Sequence, residues 1–226
     1  MTIAEKLATI AENEQKVFDA GKEAYYNAIW DCIQNGGNIS SETTGLFRGA
    51  FWNDDTFRPK YDVVITGAGQ YFFKECCITD LKGLLEKCGK TLNTSNATNL
   101  FSMFQDSTIT RISTIDARKA SQLSQTFYRC RRLKSVEKLI VNASIAYPSA
   151  FSYCSALEDI VFEGTIGQNL NMYDCFNLTH DSLMSIINAL EAKAEGTWTV
   201  TLGATNLAKL TDAEKAIATQ KGWTLV

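Results

Sequence analysis

The chain has 226 residues, with 22 Lys and Arg against 25 Asp and Glu for a formal net charge of −3, and 45% of it is apolar. That balance suits a folded protein and gives no general attraction to nucleic acid, and no run is long and apolar enough to insert in a membrane. The opening MTIAEKLATIAENEQ places charges where an export leader needs an apolar centre, so manufacture in a reducing bacterial cytoplasm without a signal peptide is expected.

Residues 2 to 34 read as one long helix, with Thr2 as cap and Glu5 in capping-box spacing. Ile3, Leu7, Ile10 and Val17 keep a three- and four-residue alternation that continues to Ala24 and Ala28, broken by Glu14 and Gly21 on the same seam. A weak heptad of this kind suits a stem for oligomerisation or attachment. The alternative is a helix lying across the end of the repeats through Phe18, Tyr25, Ile29 and Trp30. Asn35-Gly36-Gly37 ends it, giving a stem over 1–35. Residues 36–70 form an aromatic lead-in holding Phe47, Phe51, Trp52, Phe57 and Tyr61, with a short strand expected from Tyr61 to Ile65 and closed by Gly67 and Gly69.

From 71 to 178 a phrase recurs: FKECCITDL from Phe73, FQDSTITRI from Phe104, FYRCRRLKSV from Phe127, FSYCSALEDI from Phe151 and MYDCFNL from Met172. Each copy has an apolar residue, Ser or Cys three positions on, and an aliphatic residue two or three further. A period of 21 to 24 residues is the mark of a solenoid, in which each unit buries its apolar side against its neighbours. The helical insertion LKGLLEKCG lengthens the first step. Ile109, Ile112 and Ile115, then Leu133, Val136 and Leu139, then Leu157, Ile160 and Phe162 should stack as columns.

Residues 179–226 read as an α/β cap: a helix from about 181 to 194 behind Thr179, a strand at Trp198–Leu202, a helix behind Thr211 with Glu214 in capping-box register, and a last strand from Trp223.

Catalytic signatures are missing: no nucleophile elbow, P-loop, dinucleotide fingerprint or zinc-protease motif occurs, and His180 is the single histidine. The seven cysteines are odd in number and scattered, so neither a disulfide framework nor a metal site is expected, and no cofactor is implied. Cys76, Cys130, Cys154 and Cys175 share one repeat position, where a small buried side chain suits a tight inner turn. One basic cluster, Arg129, Arg131, Arg132 and Lys134, would bind an anionic glycan or phosphate-bearing polymer, or else form a solvated stripe balanced by Glu137, Glu158 and Asp159. Tyr128, Tyr153 and Tyr173 lie near equivalent positions, either lining a surface that stacks on sugars or packing over the coil edges.

The phrase apolar-x-x-Cys-x-x-Leu-x-x-Ile resembles the BspA-type leucine-rich repeats of bacteria and their phages. The opening TIAEKLATIAENEQKVFDAGKEAYYNAIWDCIQNGG, the segment WNDDTFRPKYDV and the closing LTHDSLMSIINAL and TWTVTLGATNLAKLTDAEKAIATQKGWTLV look like segments of structural proteins of phages and prophages of Gram-positive gut bacteria. The resemblance implies an α/β leucine-rich-repeat solenoid with a long N-terminal helix and an α/β C-terminal cap. It further implies a non-enzymatic virion component at the tail tip or baseplate. Expected partners are other virion proteins, further copies of the chain, with a trimer as the expected state, and a host cell-surface glycan or protein. A bacterial leucine-rich-repeat module that binds another protein is the main alternative, and a glycan-cleaving enzyme with distant carboxylates is the third.

Overall fold

A computed structural model describes residues 62–226 together with Glu12, Asn13 and Pro59. The stem, with Ile3, Leu7, Ile10 and Val17, and nearly all of the aromatic lead-in lie outside the described residues. Apart from Glu12 and Asn13, the described residues belong to one compact unit, Asn38–Val226.

The chain advances in successive coils joined by parallel pairing. Strand β1 (Val63–Ala68) opens on β-branched residues and runs three residues further than Tyr61–Ile65, through Gly67, whose φ of +76° falls at an irregularity in the register. After β1 comes a helix, α1 (Leu81–Lys87), capped by Asp80, whose carboxylate accepts from the Gly83 N–H at 3.0 Å. Strand β2 (Leu92–Asn99) pairs with β1, Val63 lying opposite Leu92. Strands β3 (Arg111–Asp116), β4 (Ser135–Val141) and β5 (Asp159–Gly164) form a second parallel sheet in that order. Ile112, Val136 and Ile160 share one register row, and Ile115, Leu139 and Phe162 share another. All six are buried. Burial of each contributes roughly 1.5 to 3 kcal/mol.

The repeated phrase itself is a turn ribbon, and its backbone accounting is complete in three successive coils. Residues two before and two after the apolar anchor have left-handed φ: Tyr71 and Glu75, Ser102 and Asp106, Gln125 and Arg129, Ser149 and Tyr153. None is glycine. Alternating left-handed residues turn every second N–H toward the following coil: Phe104 donates to the Thr126 carbonyl at 2.8 Å, Asp106 to Tyr128 at 2.9 Å, Gln125 to Pro148 at 2.9 Å and Phe127 to Ala150 at 2.9 Å. The N–H groups between them donate three residues back, as Tyr128 does to Gln125 at 3.0 Å. These bonds offset the cost of the backbone conformation, which an isolated chain would avoid.

Inside the ribbon Phe73, Phe104, Phe127 and Phe151 are buried and stacked, with ring centroids 5.4, 5.5 and 5.2 Å apart and planes within 19°. The cysteines three residues on do more than fill space. Cys130 donates its thiol to the Phe104 carbonyl at 2.9 Å, Cys154 to Phe127 at 2.9 Å and Cys175 to Phe151 at 3.5 Å. Truncating Cys154 to Ala removes a buried thiol and one of two hydrogen bonds on the Phe127 carbonyl, which Cys130 N–H still serves at 3.0 Å, so a loss of about 1 kcal/mol is expected in urea unfolding under reducing conditions.

The stack ends at α2 (His180–Ala189), whose Thr179 cap accepts from Ser182 N–H. Strand β5 would otherwise expose a row of unpaired groups. Helix serines replace the missing strand: Ser182 Oγ accepts from Ile160 N–H at 2.9 Å and Ser185 Oγ from Phe162 N–H at 2.8 Å, and the same hydroxyls donate to the Glu158 and Phe162 carbonyls at 3.1 and 3.4 Å. Ser182→Ala and Ser185→Ala should each cost about 1 to 3 kcal/mol by leaving strand groups unpaired, measurable as lowered urea midpoints. Helix α2 stops at Ala189 rather than near 194, because Leu190 is drawn into a parallel bridge with Ile166. The third sheet joins β6 (Leu170–Asn171), β7 (Trp198–Thr201) and β8 (Trp223–Leu225). Between β7 and β8 lie the short α3 (Gly203–Leu207) and α4 (Asp212–Gln220), the latter closed by a Thr211/Glu214 capping box. No described helix is long and apolar enough to cross a membrane.

Candidate functional site

The turn ribbon gathers most of the cationic and aromatic residues singled out in the sequence. Tyr128 and Tyr153 sit in successive coils with rings 5.6 Å apart, edge to face. The Arg131 guanidinium lies 5.7 Å from the Tyr153 ring centroid, a cation–π placement. Tyr153 is 47% exposed and its N–H donates to the Asp174 carboxylate at 2.9 Å, where the equivalent N–H of Arg129 meets a backbone carbonyl. Arg129 turns instead toward Asp106 of the preceding coil, at 3.4 Å. Arg131, Arg132 and Lys134 are exposed, and among the described residues none of the three has a carboxylate partner.

The balancing acids are engaged elsewhere. Glu137 pairs with Lys82 of α1 at 3.1 Å, and the Asp159 carboxylate accepts from the Thr179 hydroxyl at 3.0 Å. Glu158 pairs with none of the three cations, and its carbonyl serves the α2 cap. Tyr173 is exposed too, at 63%, but its ring packs toward Gly203 and it joins no ring pair with Tyr153.

Other groups are poorly placed for chemistry. Burial pushes the Cys76 thiol up to about 12 and holds Cys130 and Cys154 well above the usual thiol range, so they remain protonated donors rather than nucleophiles. His180 begins α2, exposed, with Nε2 2.9 Å from Glu214. Hydrogen bonds from the Thr211 N–H and hydroxyl, then His180, hold that carboxyl below its ordinary range. Among the described residues no three His, Cys, Asp or Glu side chains converge on a point that would hold a metal.

What the column can do is bind anions. Two guanidinium groups and an ammonium supply charge-assisted donors, and the half-exposed Tyr153 ring supplies an apolar face beside them. Comparison of the chain with protein-family models, curated proteins and solved structures finds no match.

Proposed function

We propose that this is a non-enzymatic leucine-rich-repeat protein of a phage or prophage virion, associated with the tail tip or baseplate, that recognises a phosphate-bearing glycan of the host wall through the turn column. The observation that carries the binding site is the set of cations Arg131, Arg132 and Lys134, without carboxylate partners among the described residues, beside the Tyr128–Tyr153 ring pair. The reading of a BspA-like solenoid is supported by the parallel register of β3, β4 and β5 and by the four stacked phenylalanines. The virion assignment rests on the resemblance of the terminal segments. Oligomerisation through the N-terminal stem would multiply weak contacts into useful avidity.

Binding of the full chain to purified Gram-positive wall polymer, with and without its phosphate-bearing chains, tests the site. The triple variant Arg131→Ala, Arg132→Ala, Lys134→Ala should bind at least about tenfold more weakly, and the wild-type signal should fall as salt rises. Equal binding by variant and wild type, or indifference to phosphate, would remove the proposal. Release of reducing ends from the polymer would contradict the non-enzymatic assignment.

A further inference from the structure

The backbone ladder that links one coil to the next opens at one place. Leu123 and Gln125 donate to the Ala146 and Pro148 carbonyls at 2.9 Å each, but the equivalent N–H groups one coil later, on Tyr147 and Ser149, have no backbone acceptor among the described residues. The next coil has turned away, because Leu170 pairs with Val200 of β7 instead. Two glycines place the parting. A Cβ on Gly164 would lie 2.1 Å from the Val141 carbonyl oxygen and one on Gly167 2.2 Å from that of Ala143, so the coils touch there and diverge from Gln168 onward.

The result is a surface groove of about 410 Å³, with Tyr147 and Ser149 on one wall, Gln168 and Asn169 on the other, and Thr199 and Thr201 along β7. Its lining includes no Asp, Glu, Lys or Arg. Two other clefts, of about 230 and 370 Å³, both carry charge in their linings: Lys82, Glu86, Lys90 and Glu137 in the first and Lys215 in the second. Tyr147 is 3% exposed, and its hydroxyl is a buried side-chain polar atom without a hydrogen-bond partner among the described residues.

We infer that this groove is a second binding site, separate from the turn column, and that its ligand is a neutral oligosaccharide. An anionic ligand would find no cation in the lining. A purely apolar ligand would strand the amides and hydroxyls. An added peptide strand needs donors in extended register, but Ser149 has a φ of +53°, which bends the edge out of a strand. Sugar hydroxyls both donate and accept, and so match side-chain amides, threonine hydroxyls and two free backbone N–H groups within one small volume.

Amide-resolved NMR titration of the full chain tests this with two neutral probes, maltopentaose and chitopentaose, an anionic one, tetragalacturonate, and an uncharged acetylated pentapeptide. At least one neutral saccharide should shift the Tyr147 and Ser149 amides saturably, with Kd of about 1 mM or tighter. Gln168→Ala with Thr201→Val should weaken that response about tenfold while resonances elsewhere stay in place. The Arg131→Ala, Arg132→Ala, Lys134→Ala variant should respond like wild type, which separates this site from the column. No shift from either neutral saccharide, a stronger response to the anionic probe or the peptide, or an unchanged Gln168/Thr201 variant would overturn the inference.

Discussion

Phe127→Ala should lower the unfolding free energy by about 4 kcal/mol, the largest loss expected for a single side chain in this fold. The Phe127 ring is fully buried and has neighbours on both faces, Phe104 at 5.5 Å and Phe151 at 5.2 Å. Truncation removes the transfer free energy of the ring, leaves a cavity between two rigid coils, and breaks two ring contacts at once. The coils on either side cannot close the gap, since the strand and ribbon hydrogen bonds hold their spacing. Tyr173→Ala is the control: at 63% exposure its loss should fall below about 0.5 kcal/mol. Urea unfolding under reducing conditions reads both. A loss for Phe127→Ala no larger than the control's would mean that the ring column contributes little.

Gly164→Ala should cost about 3 kcal/mol for the addition of one methyl group. Its φ of +92° disfavours any side chain, and the new Cβ would stand 2.1 Å from the Val141 carbonyl oxygen, a backbone atom held in the sheet. Gly89→Ala separates the two effects. Gly89 has φ +63° but no atom within 4 Å of its Cβ position, so only the conformational term remains, about 1 kcal/mol. Equal losses at the two positions would show that close approach of the coils at Gly164 is not what excludes a side chain.

Much of the ribbon was legible because one pattern carries it. Phe104, Phe127 and Phe151 recur at nearly constant spacing, and identical rings at identical positions have one economical arrangement, one above another. The caps at Thr179 and Thr211 were equally readable, since a hydroxyl before a helical run has a local purpose. Strand β2 was not. LNTSNATN lacks an apolar alternation, and it forms a strand because β1 offers a partner and because the Thr94 hydroxyl donates to the Asp116 carbonyl and accepts from its N–H, standing in for backbone. The left-handed residues were hidden for a related reason: Tyr71, Glu75 and Arg129 carry no glycine-like signature, and their φ values accompany bonds to a coil distant in sequence. At the candidate site the basic cluster and its tyrosines could be named from spacing alone. The partners of Glu137 and Asp159 could not, because they depend on where α1 and α2 dock.

The continuity of the coils is tested most directly by native-state amide hydrogen exchange resolved to single residues. Phe104, Asp106, Leu123, Gln125 and Phe127 should exchange only on global unfolding, while Tyr147 and Ser149, at the parting of the ladder, should exchange at least about a hundredfold faster. Rapid exchange at the first group, or protection of Tyr147 and Ser149 equal to that of Leu123 and Gln125, would contradict the account.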